Sequence, residues 1–115
     1  MAITGAHAIL YTSEPDAVRA IFRDVLGYRN VDAGGGWLIF ELPPAEVAMH
    51  PTDGAASQEL SFMCDDIGAT IEELRAKGID VDTDTHEERW GITTRMHLPG
   101  GLDLLLYQPL HPTLG

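Results

Sequence analysis

The pattern of hydrophobic and polar residues repeats once along the chain. Each half opens with a short alternating stretch, at residues 7–11 and 59–63. Each then continues with apolar residues at helical spacing, from Val18 to Leu26 in the first half and from Ile67 to Leu74 in the second. Further alternating stretches follow both helices. The pattern therefore predicts the order strand, helix, three strands in each half.

Turn and cap signals divide these elements. Ser13 is predicted to cap the first helix and Asp65 or Asp66 the second, and a glycine ends each helix. The three later strands are predicted at 28–32, 37–42 and 46–50 in the first half, and at 79–84, 92–98 and 102–107 in the second. The charged stretch 85–91, which carries Trp90, is predicted to be a loop that covers a cavity.

Alternation gives each predicted strand one apolar face and one mixed face. The apolar faces are expected to pack beneath the helices, because that burial is the main stabilising contribution. The mixed faces then line a concave surface with apolar walls and convergent polar groups, as ligand sites do. A solvent-exposed sheet face would also be polar. The mixed set comprises His7, Glu46, His50, Glu59, Arg95, His97 and Asp103 beside Trp37, Ile39, Met63 and Tyr107.

Length and charge limit the protein class. The 115 residues predict one domain, 1–115, with modules at about 5–52 and 58–110 around the polar segment 52–57. The net charge of −11 disfavours nucleic-acid binding. It favours cationic ligands, or simply keeps the protein soluble. The sequence shows no signal peptide or membrane-spanning run, so we expect a cytoplasmic protein that does not bind membranes.

The chain resembles the vicinal oxygen chelate superfamily, which includes glyoxalase I, bleomycin resistance proteins and extradiol dioxygenases. The resemblance is carried by the paired modules, the run from Phe22 to Tyr28, the Cys64-Asp65-Asp66 step, and the Leu98-Pro99-Gly100-Gly101 turn. It implies an α+β fold in which two tandem βαβββ modules form a half-barrel-like mixed sheet around a cavity. It also implies a homodimer and a small-molecule ligand or substrate.

Metal-dependent relatives place ligands on the first and last strands of each module. By this resemblance, His7, Glu59 and Asp103 are the candidate ligands of a divalent ion such as Fe, Mn, Ni or Zn. The usual carboxylate positions instead carry Ala48 and Leu105. The alternative is that His7 and Glu59 hydrogen-bond across the cavity with no metal.

Two hypotheses about function follow. In the first, the protein is a metal-dependent enzyme of the glyoxalase or extradiol dioxygenase type, in which Glu46 would transfer the proton during the reaction. In the second, it is a metal-free protein that sequesters an aromatic or cationic compound. Under either hypothesis one set of side chains is predicted to contact the small molecule. These are Trp37, Trp90, Arg95, Tyr107, Tyr11 and Met63.

Overall fold

The computed structural model describes residues 5–114, which fold into two helices and seven strands. Helix α1 (Pro15–Ala20) continues directly as a π-helical segment, Ile21–Val25, and α2 spans Ile67–Ala76. The strands are β1 (Asn30–Asp32), β2 (Leu38–Phe40), β3 (Ser61–Met63), β4 (Asp80–Val81), β5 (His86–Glu88), β6 (Gly91–Leu98) and β7 (Leu102–Pro109). Within residues 5–114, no helix is both long and apolar enough to cross a bilayer.

The strands form one large mixed sheet and one hairpin. In the five-stranded sheet the order is β3-β7-β6-β4, with β5 pairing along another part of β6. Strand β3 runs parallel to β7, and the other pairs are antiparallel. Strands β1 and β2 form a separate antiparallel hairpin. The predicted α+β class with a mixed sheet is confirmed.

The β6–β7 hairpin is the longest ladder, and it separates the two faces as alternation predicts. Eight residue pairs run from Gly91↔Pro109 to Leu98↔Leu102. Met96 and Leu104 are buried on the helix side, whereas Arg95 and Asp103 are exposed on the other side. The opposite face of the sheet is therefore free for polar side chains.

The core lies between the helices and the apolar face of the large sheet. Asp66 begins α2 as its N-cap, accepting a 3.0 Å hydrogen bond from the Ala69 amide. This cap orients an apolar stripe toward the sheet. The buried hydrophobic residues are Val18, Phe22, Ile67, Ile71, Leu74, Ile79, Val81, Met96, Leu98, Leu104 and Leu106.

An aromatic cluster joins the two halves of the chain. The Phe22 ring lies 5.5 Å from the Phe40 ring and 6.2 Å from the Phe62 ring, measured between centroids. Tyr28 completes the cluster with an edge-on contact to Phe22 at 5.9 Å. Since Phe40 belongs to the β1–β2 hairpin and Phe62 to the large sheet, Phe22 packs both units onto one helix.

Four local predictions are wrong. Residues 7–11 and 46–50 form no strand, because neither segment pairs its backbone with a strand among residues 5–114. Residues 85–91 are not a loop, since β5 pairs with β6 around a tight turn that contains Trp90. Ser13 is not the helix cap. Instead, Thr12 Oγ1 accepts a hydrogen bond from the Glu14 amide and donates one to the Pro99 carbonyl at 2.7 Å.

The turn between β6 and β7 yields a matched stability test. Gly100 and Gly101 both have positive φ, +79° and +74°, which side chains other than glycine adopt at a cost. A Cβ at Gly100 would also collide with Thr12 Oγ1, whereas a Cβ at Gly101 meets nothing within 4 Å.

We therefore expect Gly101→Ala to lower the free energy of unfolding by about 1–2 kcal/mol, and Gly100→Ala to lower it clearly further. Urea unfolding monitored by circular dichroism measures both changes. Equal losses in the two variants would contradict the close approach of Thr12 to this turn.

Candidate functional site

The candidate site is the face of the large sheet that points away from the helices. Register places side chains from neighbouring strands in rows on this face. Met63 of β3 lies level with Tyr107 of β7, which in turn pairs with Thr93 of β6. Ser61, Leu105 and Arg95 form the next row. The sheet therefore fixes the spacing of these groups before any ligand is bound.

The Tyr107 ring is held in place by the first residue of β6 and by the turn before it. Gly91 lies beneath it, and a Cβ at that glycine would come within 2.8 Å of the ring carbon Cδ2. The Trp90 indole packs against the Tyr107 ring edge-on, at a centroid distance of 5.2 Å and an interplanar angle of 77°. Trp90 remains 42% exposed, so part of the indole is free to contact a ligand.

The Tyr107 hydroxyl forms a hydrogen bond to the segment that follows β7. It lies 3.1 Å from His111 Nε2, and His111 Nδ1 lies 2.7 Å from the Pro112 carbonyl oxygen. A carbonyl only accepts, so Nδ1 carries the proton and Nε2 accepts from the phenol. Burial, and secondarily the charge of Glu46, raises the pKa of Tyr107. The phenol is thus neutral and keeps lone pairs for a ligand donor.

His97 bridges two carboxylates on the same face. Its Nδ1 lies 2.8 Å from Asp103 Oδ1, and its Nε2 lies 2.8 Å from Asp82 Oδ1. Carboxylates only accept hydrogen bonds, so both bonds form together when both ring nitrogens carry a proton, that is, when the imidazole is charged. These bonds, the one to Asp103 being the stronger influence, raise the pKa of His97. His97 therefore ties β7 to the segment that follows β4.

Two neighbouring cavities open on or beside this face. The first, about 440 Å³, has Arg95 and Leu105 in its wall together with the acidic groups Asp82, Asp84 and Glu88. The second, about 290 Å³, lies along the free edge of β3. It is lined by apolar side chains and by Glu46, Glu59, Met63 and Tyr107. Both sizes suit small-molecule ligands or parts of them.

The predicted ligand-contacting residues fall into three groups, of which Trp37 is the third. Met63, Tyr107, Trp90 and Arg95 lie on or beside the outward face of the sheet. Tyr11 instead lies on the unpaired segment 5–12 and is 83% exposed.

Trp37 has a contact of another kind. The Arg19 guanidinium carbon of α1 lies 5.1 Å from the centre of its ring. Because a cation already covers one side of this indole, Trp37 differs from Trp90, whose neighbours are aromatic.

The candidate metal ligands do not come together within one chain. No three His, Cys, Asp or Glu side chains within residues 5–114 form a group able to hold a metal ion. His7 is exposed on the unpaired first segment, and Asp103 is bound to His97. Glu59 alone of the three candidates is close in register to another one. Ser61 pairs with Leu105, and continuing this parallel ladder by two residues puts Glu59 level with Asp103. The metal set stays a prediction.

Sequence reasoning missed three contributors to this face. Gly91 makes room for the Tyr107 ring, His111 accepts from its hydroxyl, and Asp82 completes the bridge through His97. The glycine directly after Trp90 was the one available signal, because glycine within a strand marks a close approach. The partners Asp82 and His111 depend on tertiary folding, and alternation alone does not reveal them.

Comparisons with known proteins identify the architecture. No family model and no curated protein sequence matches the chain. Solved structures do match. TnmS3, an antibiotic binding protein from Streptomyces sp. CB03234, superposes with a TM-score of 0.66 at 22% identity, covering 95% of this chain and 98% of its own. The chain has the glyoxalase/bleomycin-resistance-type fold.

Two further structures agree. Lactoylglutathione lyase from Agrobacterium tumefaciens gives a TM-score of 0.63 at 21% identity, covering 91% of this chain and 92% of its own. A glyoxalase/bleomycin resistance protein/dioxygenase from Nocardioides gives a TM-score of 0.60 at 17% identity, covering 98% of this chain and 93% of its own. The resemblance to the vicinal oxygen chelate superfamily is thus confirmed at the level of fold, which hosts several unrelated chemistries.

The His97 bridge predicts a pH dependence of stability. Because the folded pKa of His97 is raised, its protonation stabilises the fold fully below the unfolded pKa, about 6.5. That stabilisation is lost as pH rises through the folded pKa.

We expect His97→Gln to be less stable than the parent at pH 6, and the difference to shrink at alkaline pH. Urea unfolding across this pH range measures the difference, with the exposed His50→Gln as control. A difference that stays constant or grows with pH would contradict the charged bridge.

Proposed function

We propose that this protein binds a small aromatic or cationic compound on the outward face of its large sheet, without a catalytic metal. The observation that carries this proposal is the Trp90–Tyr107 pair beside a cavity that holds two carboxylates. The aromatic rings offer stacking and cation–π surfaces, and Glu46 and Glu59 offer counter-charges. The net charge of −11 favours the approach of a cation.

The hydrogen-bonding chemistry of Tyr107 supports the same proposal. Its hydroxyl proton is committed to His111, so the phenol oxygen is left to accept a bond from an ammonium or hydroxyl group. Met63 adds a polarizable apolar surface in the same row and is 39% exposed. TnmS3, which shares the fold, is an antibiotic binding protein, and this supports a binding role for such a scaffold.

A metal-dependent activity of the glyoxalase or extradiol dioxygenase type is the second candidate. It is favoured by the register that brings Glu59 level with Asp103 when the ladder is continued, and by the lactoylglutathione lyase that shares the fold. Against it, Asp103 already accepts a hydrogen bond from His97. Because the residues of one chain do not fit a metal ion, we derive no catalytic step through one.

We expect a planar aromatic cation, such as an acridinium dye, to quench the tryptophan fluorescence of the protein saturably. An anionic aromatic of similar size, anthracene-2-carboxylate, should bind far more weakly because of the acidic surroundings. Tyr107→Ala should weaken dye affinity roughly tenfold, the equivalent of losing one cation–π contact worth about 1.4 kcal/mol.

The two tryptophans form a matched control pair for this titration. Trp90→Phe should abolish most of the quenching, whereas Trp37→Phe should retain it, since Trp37 packs against Arg19. Equal quenching of both variants would contradict the proposed site.

Metal analysis of untagged protein tests the second candidate. Stoichiometric Fe, Mn, Ni or Zn that disappears in His7→Ala would favour the enzyme over the metal-free binder.

A further inference from the structure

The chain has few basic side chains, and most of them are paired. It carries seven Lys and Arg against eighteen Asp and Glu. Four of the seven lie 2.8–3.6 Å from a carboxylate oxygen, and a fifth donates to a backbone carbonyl oxygen. These five are Arg19, Arg23, Arg29, Lys77 and Arg75.

The other two are Arg89 and Arg95, which have no ion-pair or hydrogen-bond partner for their side chains among residues 5–114. Arg95 lines the cavity of about 440 Å³, whereas Arg89 lines neither of the two cavities. An unpaired arginine is unexpected in a chain with so large an excess of carboxylates. Arg95 is therefore the one that a bound molecule could pair with.

The His97 bridge explains why Arg95 is unpaired. Two carboxylates are its neighbours in the sheet. Asp103 is its diagonal neighbour on β7, and the Asp82 amide donates a 3.0 Å hydrogen bond to the Arg95 carbonyl oxygen. Both carboxylates are instead bound to His97, at 2.8 Å each. The Arg95 guanidinium, with its planar set of N–H donors, is left exposed at the cavity wall.

Arg95 lies close to the aromatic pair on the same face of the sheet. It pairs with Leu105, and Tyr107 lies two residues further along β7. Diagonal neighbours of this kind on antiparallel strands are about 7–8 Å apart. Leu105 is only half-buried, so a short aliphatic arm can lie over it. A molecule that contacts the Trp90–Tyr107 pair can thus reach Arg95 with such an arm.

The charges around Arg95 restrict the anion that it can bind. Asp82, Asp84 and Glu88 lie in the wall of the same cavity, and the net charge of the chain is −11. Such surroundings repel a simple anion, and a doubly charged phosphate more than a singly charged carboxylate. A carboxylate also matches the guanidinium with two parallel hydrogen bonds. A molecule that carries its own positive charge beside the carboxylate avoids the repulsion.

We propose that the ligand is a zwitterion, an aromatic cation whose carboxylate is held by Arg95 about 7–8 Å from the ring that contacts Trp90 and Tyr107. This inference deepens the proposed function and rests on it. The cationic ring lies against the aromatic pair near Glu46 and Glu59, and Arg95 neutralises the carboxylate. Since an exposed ion pair contributes little affinity, Arg95 acts chiefly by selecting among aromatic cations.

A matched pair of dyes tests this selection. The first is 10-(3-carboxypropyl)acridinium, whose flexible arm ends in a carboxylate. The second is its methyl ester, which has the same ring and arm but no negative charge. Saturable quenching of tryptophan fluorescence measures both affinities. We expect the parent protein to bind the acid roughly fivefold more tightly than the ester, as one exposed ion pair would give. The net charge of the protein alone would favour the ester.

Three variants assign the preference to one side chain. Arg95→Gln should bind the acid no better than the ester, and Arg95→Lys should keep part of the preference, because it keeps the charge but not the planar set of donors. Arg29→Gln is the matched control. It removes the same charge from a side chain that is 85% exposed and pairs with Glu41, and it should bind both dyes in the parental ratio. Since the Arg95 side chain is exposed and unpaired, its variants should keep the parental circular dichroism.

The outcomes separate this inference from the proposed function. If the ester quenches saturably but the parent does not prefer the acid, or if Arg95→Gln keeps the preference, Arg95 does not recognise a carboxylate and binding of an aromatic cation still stands. If Arg29→Gln loses the preference as Arg95→Gln does, the effect is one of net charge and the assignment to Arg95 is wrong. If neither dye quenches, binding at the aromatic pair fails and the zwitterion proposal fails with it.

Discussion

The antiparallel pairing of β6 with β7 is the constraint on which the rest of the structure depends. Eight consecutive pairs fix the register of the two strands, so each side chain is assigned to one of the two faces of the sheet. Met96 and Leu104 must then face the helices, while Arg95, His97 and Asp103 must face away. A slip of one residue would place the charged set beneath α2, where burying three charges would strongly destabilise the fold. Core and candidate site are thus two consequences of one register.

The second half of the chain buries most of the core, and the first half buries little of it, because the two halves differ in what they pack against. The second half supplies its own partners, because β3, β5 and β4 all add to the β6–β7 hairpin. The first half contributes a short helix and a two-stranded hairpin, which alone are too small for an independent core. Phe22 compensates by joining Phe40 and Phe62 in one aromatic cluster. The segments beyond the reach of that cluster remain uncovered.

Sequence patterning captured what depends on local repetition. Alternation gave the correct faces for β6 and β7, and capping chemistry gave Asp66 as the start of α2. It overestimated the strands at 7–11 and 46–50, because an alternating pattern reports that a segment is suited to pairing and not that a partner strand lies in the same chain.

For the candidate site, the sequence predicted which face of the sheet each side chain points to, but not the contacts that the side chain makes there. Arg95 and Tyr107 lie on the expected face, but the bonds that define their surroundings come from distant segments. Asp82 meets His97 across 15 residues of chain, and Glu46 lies 3.3 Å from the Leu114 amide across 68 residues. Such contacts depend on how the elements pack, which a single strand pattern does not encode. The prediction of a loop at 85–91 was wrong for a related reason, since these charged residues include a strand whose partner is β6.

The His97 bridge bears directly on the choice between binding and metal chemistry. For Asp103 to coordinate a divalent ion, it must give up its bond to the imidazole, and the ion would approach a group that is positively charged whenever it is protonated. Metal binding and protonation of His97 therefore oppose each other. Binding an organic ligand against Trp90 and Tyr107 requires no such exchange, because neither ring takes part in the bridge. The proposed binding at the aromatic pair is therefore compatible with an intact His97 bridge, whereas metal coordination by Asp103 is not.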